Sequence, residues 1–436
     1  MKIDIVVSSN TLETVMRLYA SFSVLTKFDI NFSVLLFGQK NNFNPPKRLP
    51  NNLRIFQSNA CWLPIDESRN RCQKQLQHLM RTRNSIGMVL DDDKEWCYSQ
   101  KSFIALMEQV HFNQIDMGFF CILKDAPIPE EYTRTSPMLD ILLALYQHYP
   151  AQVSPELALY ARGIRCTPPC SKTEHEAHHD FYSFNKSHFI PSSITKEALS
   201  ENSLHWLKSI ECGKASIRPL KKTESIKPAT GRERGGATLI LTPEILDYPN
   251  IAFTIPATTP HHENIVSRRS DMIMAMCCQR KGYQLAVLPS VFQHNRIAYP
   301  AKKEPNKLLG DMMGYALVNT LEHKAELTLD KNDFDYFYQT LQQRCHKTNN
   351  IICSAINISE LLLENSHPLT PRQQPSIKKT LESIRAHSVQ ASMQLYLPSQ
   401  TALKIEFNHV IERISETFNR VPPHPKPITK QCVGHA

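Results

Sequence analysis

Glycine is scarce in this chain, with 12 residues among 436. Neither the phosphate-binding pattern G-x-x-x-x-G-K-[ST] nor the dinucleotide-binding pattern G-x-G-x-x-G occurs in it. Both patterns use glycine so that the backbone can approach a phosphate closely. The sequence therefore argues against P-loop nucleotide chemistry and against Rossmann-type dinucleotide chemistry.

The chain also lacks an apolar run of the length that a membrane-spanning helix needs. Its first residues, Met1–Ser8, form a stretch that is too short and too acidic for a secretory signal. The 12 cysteines are irregularly spaced, and without an export signal we expect reduced thiols in a cytosol. We therefore predict a cytoplasmic protein without a transmembrane segment, in which peripheral contact with a membrane stays open.

Positive charge exceeds negative charge, since 50 Lys and Arg residues face 41 Asp and Glu residues and give a formal net charge of +9. Such an excess favours polyanionic partners such as nucleoside diphosphates, acidic glycans, anionic membranes or nucleic acid. The excess is spread along the chain, so it would attract anionic partners in general without identifying a particular one. Nucleic acid is not among the partners that we predict.

Strand-like and helix-like segments alternate over the first 126 residues. Apolar runs bounded by turn residues predict strands, and apolar stripes at helical spacing predict helices. The predicted strands are Lys2–Ser8, Phe32–Phe37, Leu53–Phe56, the run from Ile86 into Asp91, and Asp116–Leu123; the predicted helices follow Asn10, follow Asp66 and span Phe103–Val110. This alternation predicts an α/β fold with a doubly wound, mostly parallel sheet.

The pattern loosens over residues 127–227, which we interpret as an insertion or a substrate-facing half. Order returns with Gly235–Gly236 before an apolar strand. A helix capped by Ser270 and ended by Gly282 follows, and then a strand from Tyr283 to Pro289.

After residue 300 the apolar residues recur at helical spacing. We therefore predict a catalytic unit over residues 1–300, divided into a nucleotide-binding half at 1–126 and an acceptor half at 127–300, and an α-helical C-terminal region at 301–436. The C-terminal helices are expected to pack on the catalytic unit or to pair with a second copy in a homodimer.

Three consecutive aspartates, Asp91, Asp92 and Asp93, follow the apolar run Met88–Leu90. Ligands of open α/β sheets bind just beyond the carboxyl ends of strands. Three carboxylates at such a place repel one another unless a cation or a donor group lies between them. Oxygen ligands suit Mg²⁺ or Mn²⁺, and those ions usually carry a substrate phosphate. The alternative is an acidic turn, because aspartate is common in turns.

Three further features accompany the aspartates. Arg69 and Asn70 lie in the first turn of a predicted helix, where backbone N–H groups attract anions, although an exposed helix terminus would look the same. Asp271 opens another helix, whose dipole stabilises a carboxylate able to accept a proton; ordinary helix-start chemistry is the alternative. His294 follows a strand and could complete a metal shell or bind a diphosphate oxygen, although a lone histidine is more often structural.

Taken in order, these motifs resemble those of GT-A glycosyltransferases, especially the family-2-like group. The resemblance covers about residues 1–300, a reasonable size for a catalytic unit. The matching segments are Ser68–Arg69–Asn70, Leu90–Asp93, Gly235–Gly236, Arg269–Ser270–Asp271, Gly282 and His294–Asn295–Arg296.

The resemblance implies a metal-dependent enzyme that moves a sugar from a nucleoside-diphosphate sugar to a hydroxyl group of a glycan, lipid or protein. The implied donor-binding residues are Ser8, Arg69, Asp91, Asp92 and Arg296, and the implied ligands of Mn²⁺ or Mg²⁺ are Asp93, Asp91 and His294.

Asp271 would be the base that deprotonates the acceptor, with inversion at the anomeric carbon. Ser270 stands where the family usually has Glu or Asp, so the stereochemical outcome stays open.

Two other readings of the aspartates remain. A phosphatase of the haloacid-dehalogenase type would use Asp91 as nucleophile and Asp93 as acid. That family normally carries this motif on its first strand, whereas several elements precede it here and Lys94–Glu95–Trp96 follow it. The third reading is a non-catalytic scaffold that binds a nucleotide or a sugar.

A second group of possible ligands lies in the loosely patterned region. Its members are Cys166, Cys170, His175, His178 and His179. Cysteine and histidine together could hold zinc, but the spacing is not that of a standard zinc knuckle, and an unligated polar loop is the default interpretation.

Overall fold

The computed structural model describes residues 1–38, 49–58, 63–123, 204, 207–208, 222–231, 233, 238–256, 264–294, 306–324, 329–364, 374–393 and 397–421. Several sequence-based predictions lie outside these residues. They concern Cys166, Cys170, His175, His178, His179, Gly235–Gly236 and Arg296.

Within the described residues the strands are β1 Lys2–Ser9, β2 Asp29–Leu36, β3 Leu53–Gln57, β4 Ile86–Asp91, β5 Lys94–Trp96, β6 Met117–Leu123, β7 Lys227–Pro228, β8 Thr238–Leu241, β9 Thr254–Ile255, β10 Ile265–Val266 and β11 Leu285–His294. The α-helices are α1 Leu12–Ser21, α2 Ile65–Arg83, α3 Gln100–Phe112, α4 Ser270–Arg280, α5 Lys307–His323, α6 Phe334–Glu364, α7 Gln374–Met393 and α8 Gln400–Arg420.

The large sheet has the strand order β3-β2-β1-β4-β8-β6-β11-β5, and β7 pairs with β11. The strands β3, β2, β1 and β4 are parallel neighbours, and β6 is parallel to β11. In contrast, β8 runs antiparallel to both β4 and β6, and β5 and β7 run antiparallel to β11. The predicted α/β class is confirmed. The sheet is mixed, with one half of parallel strands, β3, β2, β1 and β4, and a second half that contains antiparallel pairs.

Helices cover both faces of this sheet. On one face α1 and α3 bury residues such as Leu18 and Phe103 against Trp96 and Phe292. On the other face α2 and α4 pack on the sheet, and α5, α6 and α8 continue the same apolar cluster. The C-terminal helices therefore pack on the unit that carries the sheet, which was one of the two arrangements expected for them. None of the helices in the described residues is both long and apolar enough to cross a membrane.

Helix α4 is enclosed on all sides, because every residue from Ser270 to Cys278 is buried. A helix with apolar side chains all round its axis belongs to the interior of a protein. The apolar cluster that contains α4 also includes Leu239 of the sheet and Met312 of α5. The start of α4 is therefore fixed by the sheet and by the C-terminal helices together.

Three predicted helix caps are wrong in detail. Asn10 was expected to cap α1, and Thr11 holds that position. Asp66 lies inside the first turn of α2, and Pro64 holds the cap position. Ser270 is the first residue of α4, and Arg269, with a φ of 74°, precedes it as the cap. Asp66 and Ser270 both lie within the first turn, where they face the positive end of the helix dipole.

Candidate functional site at the carboxyl ends of the central strands

The carboxyl ends of β1 and β4 lie side by side. The two strands are parallel, and Ser8 is the register partner of Asp91. Beyond Asp91 the chain turns through Asp92 and Asp93 into β5, where Lys94 is the register partner of His294 on β11. The predicted site residues of three strands therefore come together at one edge of the sheet. The backbone of His294 lies there, while its side chain is outside the described part of the chain.

Asp92 is held by the last residue of β1 and by the first turn of α1. Its Oδ2 atom accepts a hydrogen bond from the hydroxyl of Ser9 and another, 2.8 Å long, from the hydroxyl of Thr14. Burial raises the pKa of Asp92, and these two hydrogen bonds oppose that rise. Asp92 thus anchors the turn to the first helix, which leaves Asp91 and Asp93 as the pair spaced as Asp-x-Asp.

Asp93 forms an ion pair with its neighbour Lys94, whose Nζ atom donates a hydrogen bond to Oδ1 of Asp93. The Asp93 side chain is 34% exposed, whereas the Lys94 side chain is 2% exposed. A positive charge is therefore buried within the group of three carboxylates. Buried charges need a partner because the loss of hydration is costly, and Asp93 provides one.

Burial raises the pKa of Asp91 to about 6, and the negative charges of Asp93 and Asp92 add to the rise. The positive charges of Lys94 and Arg69 oppose it. Within the described residues no hydrogen bond to the Asp91 carboxyl is found. A desolvated carboxyl of this kind gains from a cation or a hydrogen-bond donor, which a bound ligand would supply.

Arg69 of α2 connects the aspartate turn with the start of α4. Its Nη1 atom lies 3.2 Å from Oδ1 of Asp271 and 3.3 Å from the Ser270 hydroxyl. Its positive charge also acts on the carboxyl of Asp91 and on the thiol of Cys72. The Arg69 side chain is 13% exposed and that of Asp271 is 2% exposed. The structure thus brings Arg69 and Asp271 into contact and puts Arg69 within electrostatic range of Asp91.

Asn70 does not take part in the site, although the sequence analysis grouped it with Arg69. Its amide nitrogen donates to the backbone oxygen of Asn250 over 2.9 Å, and its amide oxygen accepts from the Asn250 backbone N–H over 2.6 Å. Both ends of the Asn70 amide are therefore engaged by one loop. Asn70 fixes that loop to α2 and leaves the contact with Asp271 to Arg69.

Ser8, predicted to be near the donor, is hydrogen-bonded to Cys72 of α2. Burial raises the pKa of the Cys72 thiol to about 12, so the thiol stays protonated at neutral pH and is a poor nucleophile. The pair joins the end of β1 to the helix that carries Arg69.

The turn before α4 is held in place by α5. The guanidinium of Arg269 lies 3.0 Å from Oδ2 of Asp311, and both side chains are buried. The Arg268 backbone N–H donates to the Gly310 oxygen over 3.0 Å. The guanidinium carbon of Arg269 also lies 5.2 Å from the centre of the Tyr315 ring, within the range of a cation–π contact. Residues of α5 therefore position the segment that carries Asp271.

The chemistry of the aspartate turn suits a hard divalent cation, because Asp91 and Asp93 offer carboxylate oxygens. In the part of the chain that the structure describes, no group of three or more His, Cys, Asp and Glu side chains is arranged around a common metal position. Asp93 is engaged by Lys94 and Asp92 by Ser9 and Thr14. The donor atoms therefore fit the predicted Mn²⁺ or Mg²⁺ in type, and a metal would have to compete with Lys94.

Sequence reasoning missed Lys94, Thr14 and Asp311. Lys94 carried a signal, since a lysine adjacent to three aspartates is the nearest available counter-charge. Thr14 and Asp311 carried none, because each lies on a helix at an ordinary position and finds its partner through the fold.

Comparison with known proteins gives no further constraint: no protein-family model matches this chain, and no curated protein matches it.

Proposed function

We propose that this protein is a glycosyltransferase that moves a sugar from a nucleoside-diphosphate sugar to a hydroxyl group of a glycan, lipid or protein. The observation that supports the proposal is the contact of Arg69 with Asp271, with Arg69 also acting on the carboxyl of Asp91. These residues are separated by up to 202 positions (69 to 271), and the order of motifs along the chain predicted that they share one site. An enzyme of this kind needs an acid-bearing strand end, a cationic side chain and a base around one cleft.

In the proposed reaction the acceptor hydroxyl oxygen forms a bond with the anomeric carbon of the donor sugar. The bond between that carbon and the diphosphate oxygen breaks, and the diphosphate leaves with the electron pair. The Asp271 carboxylate takes the acceptor proton, and inversion at the anomeric carbon follows if the attack is direct. Arg69 pairs with Asp271 over 3.2 Å and supplies the opposite charge that a buried carboxylate needs.

Asp91 and Asp93 would hold the divalent cation, which would neutralise the charge that grows on the leaving diphosphate. Ser8 and Arg69 would face the donor, and Arg suits phosphate because its fork of N–H groups matches two oxygens. The proposal also includes His294 as a metal ligand and Arg296 as a donor contact. We place the enzyme in the cytosol, where the cysteines, seen as free thiols at seven described positions, would stay reduced.

The test is release of free sugar or transfer of sugar from a set of nucleoside-diphosphate sugars in the presence of Mn²⁺ or Mg²⁺. We expect turnover with one donor by the wild-type protein and a loss of about a hundredfold or more in Asp271→Asn, as expected when a general base is removed. Asp93→Ala should lose activity as well. Glu108→Gln, on the exposed side of α3, is the matched control and should keep full activity.

Unchanged turnover in Asp93→Ala and Asp271→Asn would refute the proposal. The two other readings give different results in the same experiment. A phosphatase of the haloacid-dehalogenase type would form a phosphoaspartate mimic with beryllofluoride at Asp91. A binding scaffold would bind the nucleotide without turnover.

A further inference from the structure

Lys94 is a buried cation with spare hydrogen-bonding capacity. An ammonium group has three N–H donors, and in the described part of the chain the Lys94 ammonium hydrogen-bonds to one partner, Asp93. Its side chain is 2% exposed, so water cannot readily serve the other two donors. A buried donor without an acceptor costs free energy. The ammonium is therefore suited to contact a further anion at the aspartate turn.

The Lys94 ammonium is hydrogen-bonded to the Asp93 carboxylate, which a metal ion would need as a ligand. Asp93 Oδ1 accepts the hydrogen bond from Lys94, and the positive charge of Lys94 also acts on Asp91 and Asp92. A divalent cation entering between Asp91 and Asp93 would meet this charge at close range. Like charges a few ångströms apart repel strongly in a partly buried site.

A bound diphosphate would weaken the hold of Lys94 on Asp93. Once a phosphate oxygen lies beside Lys94, two anions compete for one ammonium, and Asp93 becomes available to the metal. The backbone of Lys94 is paired with that of His294 on the neighbouring strand, so the residue is fixed in position while its long side chain can swing between the two anions.

Building on the proposed function, we infer that Lys94 is a diphosphate-binding residue that competes with the divalent cation for Asp93. Metal binds weakly while Lys94 is paired with Asp93. The leaving diphosphate of the donor takes up the ammonium and thereby opens the metal site. Metal and donor therefore bind as a coupled pair, and the coupling acts equally in both directions.

The test uses two probes separately and no sugar donor. Mn²⁺ alone is titrated into nucleotide-free protein, with the unbound ion followed by electron paramagnetic resonance. Pyrophosphate alone is titrated with EDTA present, by calorimetry. In Lys94→Met we expect the dissociation constant for Mn²⁺ to fall by about tenfold or more, because a repelling charge is removed. We expect the dissociation constant for pyrophosphate to rise by about tenfold or more, because an attracting charge is removed.

Opposite shifts for the two probes cannot come from misfolding, which would weaken both. Lys94→Arg keeps the charge and should bind both probes as the wild type does, within about threefold. Weakening of both probes in Lys94→Met, no change in either, or equal shifts in Lys94→Arg would each overturn the inference. The result is independent of turnover: an inactive protein could still show opposite shifts, and an active one could lack them.

Discussion

Gly314 of α5 and Arg268 lie so close that a methyl group on Gly314 would come within 2.0 Å of the Arg268 carbonyl oxygen. Gly310 lies one turn earlier in α5. A methyl carbon added there would lie 2.2 Å from the Val266 carbonyl oxygen. Two glycines on one face of α5 therefore let the helix touch the backbone that leads to Asp271. A side chain at either position would push apart the turn and the helix that positions it.

We therefore expect Gly314→Ala to lower the free energy of unfolding by about 1–3 kcal/mol, which is typical of overpacking. At an open helical position the same change would stabilise by about 0.5–1 kcal/mol. The measurement is urea unfolding followed by circular dichroism. Asn319→Ala, on a partly exposed position of the same helix, is the control and should change stability by less than about 1 kcal/mol. A neutral or stabilising effect of Gly314→Ala would contradict the close packing.

The buried ion pair between Arg269 and Asp311 supports a second prediction. Asp311→Asn leaves the Arg269 guanidinium facing a neutral amide in the interior, and breaking such a pair costs about 3–5 kcal/mol. The double variant Arg269→Met with Asp311→Leu removes both charges and should recover most of that stability. Chemical unfolding of the single and double variants measures the difference. Equal losses in both would show that the ion pair is not the source of the effect.

Loss of the Arg269–Asp311 ion pair should also lower the turnover number of the proposed reaction. Because Arg269 directly precedes the helix that carries Asp271, the double variant should fold and still show a lower kcat with little change in KM. A positioning role predicts this split, whereas a role confined to stability predicts wild-type kcat once folding is restored.

The raised pKa of Asp91 predicts a pH dependence of stability. Its folded-state pKa is about 6, against an ordinary value of 3.8, so the folded state binds the proton more tightly than the unfolded state between these values. The free energy of unfolding that this group contributes is therefore highest below pH 4 and falls as the pH rises towards 6, by about 2–3 kcal/mol in total.

Asp91→Asn removes this titration. We expect the difference in unfolding free energy between variant and wild type, measured in EDTA, to move in favour of the variant as the pH rises from 4 to 7. The control Glu108→Gln should show no such trend. A difference that is constant with pH would mean that the Asp91 carboxyl is not desolvated in solution.

Thr14 supports a fourth prediction, through its 2.8 Å hydrogen bond to Asp92. Thr14→Val keeps the shape of the side chain and removes the donor, so the buried carboxylate loses one of its two hydroxyl partners. We expect a loss of about 1–3 kcal/mol in stability, together with weaker nucleotide binding because the turn is released. Thr82→Val on α2, whose hydroxyl bonds to a backbone oxygen of its own helix, is the control. Unchanged nucleotide affinity in Thr14→Val would show that the hydrogen bond between Thr14 and Asp92 does not contribute to nucleotide binding.

The sequence predicted the edge of the sheet at which the candidate site lies. Asp91 ends a buried strand, and open sheets bind ligands at the ends of such strands. The order of motifs also predicted one site for Arg69 and Asp271, whose side chains are in contact in the structure. The first prediction rests on a local pattern whose physical meaning does not depend on distant contacts, and the second rests on the resemblance in motif order.

Other features could not be predicted in this way. The four-residue strand Thr238–Leu241 has the same apolar pattern in either direction, so its antiparallel course depends on how the preceding segment returns to the sheet. Asp311 lies 42 positions from Arg269 and on a helix with an ordinary apolar stripe. The division of roles among Asp91, Asp92 and Asp93 depends on their partners, and a run of three identical residues contains no information about which partner each one has.

The enclosure of α4 limits when this protein can become functional during its synthesis. The sheet face that receives α4 is completed by α5, α6 and α8, and Phe407 near the C-terminal end belongs to the same apolar cluster as Met272 beside Asp271. A nascent chain that has emerged only as far as β11 would hold Asp271 on a helix with one side bare to solvent. The proposed activity should consequently appear only after α8 has left the ribosome, because α8 contributes to the apolar cluster that encloses α4.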